Sequence, residues 1–361
     1  MSDATDRVML VCWVAVLALG TVMVASASVA ISQTLLLKHV MFLAAALAGL
    51  VAVLGVPLGW WQRGHRLAWL AAVALCVLVL VPGVGVEANG ARRWIGLGAF
   101  SLQAAEVSKF LLVVYLAGYL ARFHGQVADD ARVLVRPLIM LTVLGALLLM
   151  QPDFGSVVVL GATTCGLLFV AGARLRHFLL IVTLGALAVA VLAVVQPYRL
   201  ERLITFIDPW QFAFGSGYQL TQALIAFGRG EIFGLGLGEG IQKLFYLPEA
   251  HNDFIFAVIA EELGLVGALA VLVLFALLVV RILRLGRCAL DRGNPFGGYL
   301  AYGVGLMLGV QCLINLGVNT GVLPTKGLTL PFVSYGGNSL MVSCGMVGLV
   351  LRLQMEEPER G

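Results

Sequence analysis

The chain has 361 residues, of which 61% are hydrophobic and 12% charged, against roughly a quarter charged in soluble domains. That balance excludes a water-facing globule. A net charge of +4, with no basic cluster interleaved with aromatics, excludes a nucleic-acid binder.

A hydrocarbon core needs roughly 20 apolar residues per helix. Such runs fall near residues 8–31, 38–60, 67–84, 104–121, 135–151, 155–172, 178–196, 254–280, 297–319 and 338–352. The expected fold is an all-α polytopic membrane protein with about ten transmembrane helices, a single integral membrane domain over residues 1–361. The 43 glycines suit close helix packing in lipid. The first run is expected to be a retained helix despite the cleavage-like Ala25-Ser26-Ala27. Its leader carries Asp3, Asp6 and Arg7 rather than the positive stretch of a signal peptide. An even number of spans puts both termini on one side. That side holds 14 Lys and Arg, mostly in short loops at span ends, against 9 on the other, so both termini are expected to be cytoplasmic. Four outer segments remain, 85–103, 151–155, 197–253 and 320–337. The third, an extracytoplasmic loop between spans 7 and 8, is far longer than a connector needs. The six cysteines (Cys12, Cys76, Cys165, Cys288, Cys312 and Cys344) have no metal-ligand spacing and read as small hydrophobes.

Cations on the outer side run against the topology bias and need a reason. Gln103, Glu106 and Lys109 recur every three residues, which places them on one helix face. Glu106 and Lys109 partly neutralise each other, either as a structural ion pair or in a polar cavity open to the outside. Asp253 closes the run Leu247-Pro248-Glu249-Ala250-His251-Asn252-Asp253, just before a long apolar helix. There it reads as a helix cap, a general base, or both. Glu261 and Glu262, deeper on that helix, read as structural acids with buried partners. His251 has no second ligand at helical spacing and reads as a loop hydrogen-bonder. Gly228-Arg229-Gly230 and the glycines from Gly234 to Gly240 lack the βαβ context of a nucleotide site and suggest re-entrant backbone. Pro324 to Pro331, followed by Ser334-Tyr335-Gly336-Gly337, reads as a broken segment lining a cavity, where irregular backbone is tolerated.

Five of these stretches, in order, resemble the SEDS family of bacterial cell-wall proteins. They are Asn89-Gly90-Ala91-Arg92-Arg93-Trp94-Ile95, Pro152-Asp153-Phe154-Gly155, Leu247 to Phe256, Glu261-Glu262-Leu263-Gly264 and Ser334 to Gly337. The likeness spans nearly the whole chain. Thr325 to Pro331 and Gly217 to Gly230 look more like the division branch than the elongation branch. Asn252, Ala104-Ala105 and Asn338 depart from the family pattern while leaving the ionisable groups in place.

The resemblance implies a peptidoglycan glycosyltransferase of septal synthesis that polymerises lipid II on the outer face of the cytoplasmic membrane. It makes Asp253 the essential acid. The α-linked pyrophosphate becomes a β-1,4 bond, so inversion is expected, with Asp253 as base. Arg92, Arg93, Lys109 and Lys326 are expected at the phosphates. Glu106 and Asp153 are expected to orient Lys109 or help hold a divalent ion, Mg or Mn. Glu249, His251 and Ser334 complete the expected substrate-binding set. The implied partners are a class B penicillin-binding transpeptidase and other divisome membrane proteins. Two other readings share these features. A lipid II flippase predicts midplane ion pairs and inverted repeats, and no repeat is visible. A non-catalytic scaffold predicts no chemistry.

Overall fold

Apolar runs long enough to cross a bilayer dictate most of the architecture, because a spanning helix satisfies its own backbone. The computed structural model describes residues 6–29, 32–88, 91–97, 100–195 and 197–356. Three helices come first: α1 (Arg7–Ser28), α2 (Gln33–Gly55) and α3 (Leu58–Leu80). Strands β1 (Gly85–Ala88), β2 (Ala91–Leu97) and β3 (Phe100–Gln103) follow, then α4 (Ala104–Arg122), α5 (Arg132–Met150), α6 (Phe154–Val170) and α7 (Leu175–Val195). Two short helices, α8 (Pro197–Ile207) and α9 (Tyr218–Gly230), precede α10 (Ile255–Asp291), α11 (Pro295–Asn319) and α12 (Gly337–Glu356).

Among the described residues nine helices are long and apolar enough to span a membrane, and α6, with 17 residues, is a shorter apolar tenth. The chain is a multi-pass membrane protein. Most of α4 is buried, whereas no residue of the apolar window of α7 is, so α4 lies inside the bundle and α7 at its edge.

The structure corrects several boundaries. Helix α3 begins at Leu58, nine residues before the expected start, because Pro57 supplies a helix-compatible entry ahead of the Trp60-Trp61 pair. Helix α10 continues past 280 to Asp291, so Arg281, Arg284 and Arg287 project from a helix rather than a loop. The outer segment 85–103 is not a loop. Its strands form an antiparallel meander in the order β1-β2-β3, pairing Val86 with Trp94 and Ile95 with Leu102. Strand alternation buries Ala91 and Ile95 and leaves Arg92 exposed. Asn89 and Gly90 of the expected motif lie outside the described residues. The long segment 197–253 folds into α8, α9 and a kinked turn over 242–246.

Within α10 the helix breaks at Gly264, at φ +67°. A break at membrane depth leaves backbone groups that must find other partners. The segment 231–236 supplies them. Leu235 and Gly236 donate to the carbonyls of Glu261 and Glu262, both at 3.0 Å. In return Leu265 and Val266 donate to the carbonyls of Glu231 at 2.9 Å and Ile232 at 3.1 Å. A Cβ on Gly264 would collide with the backbone of Ile232 and Gly234.

The two acids beside the break are tied to the same loop. Fully buried Glu262 accepts from Lys243 Nζ at 2.6 Å, Ser26 Oγ at 2.7 Å and the Gly238 amide at 2.9 Å. Glu261 accepts from the Ile241 and Gln242 amides at 3.1 Å and pairs with Arg229 at 3.2 Å. Both acids are therefore partnered, as expected of buried carboxylates.

Candidate active site

One end of the bundle gathers most of the expected residues, and three elements meet there: the turn 247–254 that enters α10, the irregular stretch 324–336, and the last turns of α11. The stretch between α11 and α12 has no regular secondary structure of its own, so its backbone needs side-chain partners.

A polar ladder on α11 provides them. Gln311, Asn315 and Asn319 recur every four residues on one face of an apolar helix and are buried. Gln311 Nε2 donates to the Thr329 carbonyl at 3.0 Å, and Asn315 Nδ2 donates to the Leu328 carbonyl at 2.6 Å. Asn315 and Asn319 each donate to the backbone carbonyl of Asp253 at 2.9 Å. Asn319 Oδ1 accepts from the Ala257 amide at 3.1 Å, which ties the first turn of α10 to α11. Buried Ser334 adds a cross-link, donating to the Asn252 carbonyl and accepting from the Leu330 amide, both at 2.7 Å. The Tyr335 amide donates to the His251 carbonyl at 2.9 Å. Asp253 thus has a fixed backbone and a side chain that sits 3.0 Å from where a Cβ on Gly327 would lie.

The Asp253 side chain keeps part of its surface open while protein crowds its carboxyl. Burial, with Glu249 adding to it, pushes that carboxyl up to about 7, while Arg202 and Arg93 pull against the rise. Glu249 stands at φ +56°, a conformation that turns the chain so its carbonyl accepts from the Asn252 and Phe254 amides. Burial holds His251 below the ordinary imidazole value, with Glu249 opposing. Its ring packs against Tyr335 with 5.6 Å between centroids, and its Nδ1 is buried without a protein partner.

The cations divide into three kinds. Arg93 donates to the carbonyls of Gln151 at 3.0 Å and Pro152 at 2.7 Å, which fastens the sheet to the turn entering α6. Lys326 lies over the Phe154 ring, 4.4 Å from its centroid, and Arg202 of α8 donates to the Thr325 carbonyl at 3.2 Å. Arg92 is exposed and pairs with Glu87 at 3.1 Å, beside a register shift that leaves Arg93 without a partner residue on β1. Lys109 is buried, 2.6 Å from Glu106 and 2.8 Å from Gln311 Oε1. It reaches the site only through Gln311 and Thr329.

Asp153 caps α6, accepting from the Ser156 amide at 3.1 Å and the Ser156 hydroxyl at 2.8 Å. Asp153 and Glu106 therefore each have a protein partner. Among the described residues no three His, Cys, Asp or Glu side chains gather where they could hold an ion. These residues by themselves do not form a protein cage for a divalent ion.

Two features of the site escaped the sequence reading. The α11 ladder was legible as amides at i, i+4 and i+8 in an apolar helix. Arg202 entered the charge count alone, because nothing in the sequence brings α8 to residue 325.

Residues 6–359 match the family described as "Cell cycle protein", which joins FtsW, RodA and SpoVE. The chain belongs to this family. It is 52% identical over 353 residues to the "Probable peptidoglycan glycosyltransferase FtsW" of Nitrosococcus halophilus, covering 95% of this chain and 90% of the relative. A solved chain from a peptidoglycan synthase complex, studied for its structural coordination of polymerization and crosslinking, superposes with TM-score 0.81 at 30% identity. The match covers 97% of this chain and 98% of that one. The rod shape determining protein RodA of Thermus thermophilus superposes with TM-score 0.73 at 29% identity, covering 97% of both chains.

Proposed function

We propose that the chain is a peptidoglycan glycosyltransferase that polymerises lipid II at the outer face of the bacterial cytoplasmic membrane during septal wall synthesis. Both termini are cytoplasmic in this reading, and Asp253 faces the periplasm. The observation that carries it is the placement of Asp253. Its backbone is clamped by two asparagines, its carboxyl is raised to about 7, and cations from three separate elements lie on the same side of the bundle. A base poised near the working pH combines a useful carboxylate fraction with real proton affinity.

The acceptor's GlcNAc 4-hydroxyl gives its proton to the Asp253 carboxylate as its oxygen bonds to the anomeric carbon of the donor. The bond from that carbon to the pyrophosphate breaks on the opposite face, and undecaprenyl pyrophosphate leaves with the electron pair. Inversion of an α-linked donor gives the β-1,4 product. Arg93, Arg202 and Lys326 stabilise the charge that grows on the leaving group, commonly the largest catalytic contribution. Lys109 and Glu106 act behind them, holding Gln311 and through it the Thr329 backbone. A class B penicillin-binding transpeptidase and other divisome proteins are the partners in this reading. The likeness to a chain of a synthase complex that couples polymerization and crosslinking supports the first.

The test is glycan formation from purified lipid II, with the transpeptidase partner present. Asp253→Asn is expected to lose at least a thousandfold in rate while remaining folded. Wild-type-like polymerisation by that variant removes Asp253 as the base. Transbilayer movement of lipid II that survives Asp253→Asn, with no polymer from either protein, makes the chain a flippase.

A further inference from the structure

At the end of the bundle opposite Asp253, two adjoining cavities of about 460 and 490 Å³ open between α3, α4 and α5. Both are of ligand size. Arg66, Arg122 and Arg136, one from each helix, line the first, and Arg63 joins Arg122 in the second. Among the described residues no carboxylate stands within salt-bridge distance of these four arginines. By contrast Arg174, Arg281 and Arg352 at the same end pair with Asp129, Asp6 and Glu356. Four exposed arginines around these cavities, with no carboxylate in reach, suit an anion.

Two further observations point to a ligand there. Trp69, Tyr115, Tyr119 and Phe123 line the first cavity and give it an aromatic wall. The walls are also built to keep this space. His65 borders both cavities and holds its Nδ1 2.7 Å from the Gln62 carbonyl. A Cβ on Gly118 would lie 2.5 Å from the His65 ring, so only glycine there leaves the imidazole in place. Pro137 of α5 cannot donate to the Val133 carbonyl, and the Tyr119 hydroxyl does so instead at 3.0 Å, fixing α4 to α5 across the cavity floor.

Leu70, which lines the cavity, is 54% exposed, and Leu67 of α3 and Ile139 of α5 are exposed as well. Those side chains belong in hydrocarbon, so the ligand carries its anion at the membrane surface and an apolar part alongside. We propose that this basic, aromatic-walled cavity between α3, α4 and α5 binds the phosphate headgroup of an anionic phospholipid. The shared chemistry is a phosphate monoanion. The apolar flank selects a lipid over a soluble phosphate.

The test follows thermal unfolding of the purified chain in detergent as phosphatidylglycerol, phosphatidylcholine or inorganic phosphate is added. Phosphatidylglycerol is expected to stabilise the wild type saturably, and the other two not at equal phosphorus. Each arginine near a membrane surface is worth about fivefold in affinity, so Arg66→Gln with Arg136→Gln should weaken half-saturation about 25-fold. Trp69→Phe removes the five-membered ring of the indole and thins the aromatic wall, so it should weaken binding a few-fold even if the arginine pair fails to fold. Arg176→Gln with Arg284→Gln, both exposed and outside the cavity, should leave half-saturation unchanged. Equal stabilisation by inorganic phosphate overturns the lipid assignment. Equal stabilisation by phosphatidylcholine, unchanged binding in Trp69→Phe, or the same loss in the control pair overturns the site.

Discussion

Replacing Asp253 by Asn should cost the reaction while making the protein more stable. The unfolded chain releases the Asp253 proton near 3.8, the folded chain near 7. Between those values the folded state holds a proton that the unfolded state has lost. Stability therefore falls as pH rises through the window and levels off above 7. A shift of about three units corresponds to about 4 kcal/mol, the most that ionising Asp253 takes from the fold at pH 8. Asn keeps the shape and never ionises. Melting curves in detergent at pH 5, 6, 7 and 8 should show the variant gaining on the wild type across this range, with the gap closing toward pH 4. The same ionisation sets the rate. A base titrating near 7 gives about tenfold more carboxylate at pH 8 than at pH 6, so single-turnover polymerisation should rise by that factor. A rate flat from pH 6 to 8, or a variant whose melting runs parallel to the wild type at every pH, refutes the reasoning.

Three other changes probe the supports. Gly327→Ala puts a methyl 3.0 Å from Asp253 Oδ2, and the displaced carboxyl should slow polymerisation about 10- to 100-fold with little change in melting. Lys243→Met strands buried Glu262 and should destabilise by about 3–5 kcal/mol, with Lys243→Met plus Glu262→Leu recovering much of the loss in a melting assay. Asn319→Ala frees the Ala257 amide and one of two clamps on the Asp253 carbonyl, at about 1–3 kcal/mol, and should lower the rate more than Gln354→Ala at the far end of the bundle.

What the sequence made legible followed physical signals of unequal strength. Spanning helices announce themselves by length, so the order and number of apolar helices came through with boundaries off by several residues. Asp253 and the 324–336 stretch were visible because charges and prolines stand out against apolar neighbours. The β meander was hidden. Its strands are short, and among the described residues only β2 buries side chains, Ala91 and Ile95, too little to set a period-2 pattern apart from a polar loop. Arg92 and Arg93 looked equivalent in sequence, and only strand geometry sends one to Glu87 and the other to the α6 turn. Lys109 looked like a phosphate ligand because spacing cannot show that Gln311 lies beyond it.

The break at Gly264 gives the protein a built-in reporter. In an unbroken helix the amides of Leu265 and Val266 would be shielded by the carbonyls of Glu261 and Glu262, within the same turn. Here their shielding is lent by Glu231 and Ile232, thirty-four residues away in the chain. Deuterium uptake at those two positions therefore tracks whether 231–236 is seated, independently of whether α10 is intact, while uptake at Ala260 tracks the helix alone. The outer turns of α10, which begin at Ile255 just after Asp253, are a separate exchange unit from the long portion that runs on to Asp291.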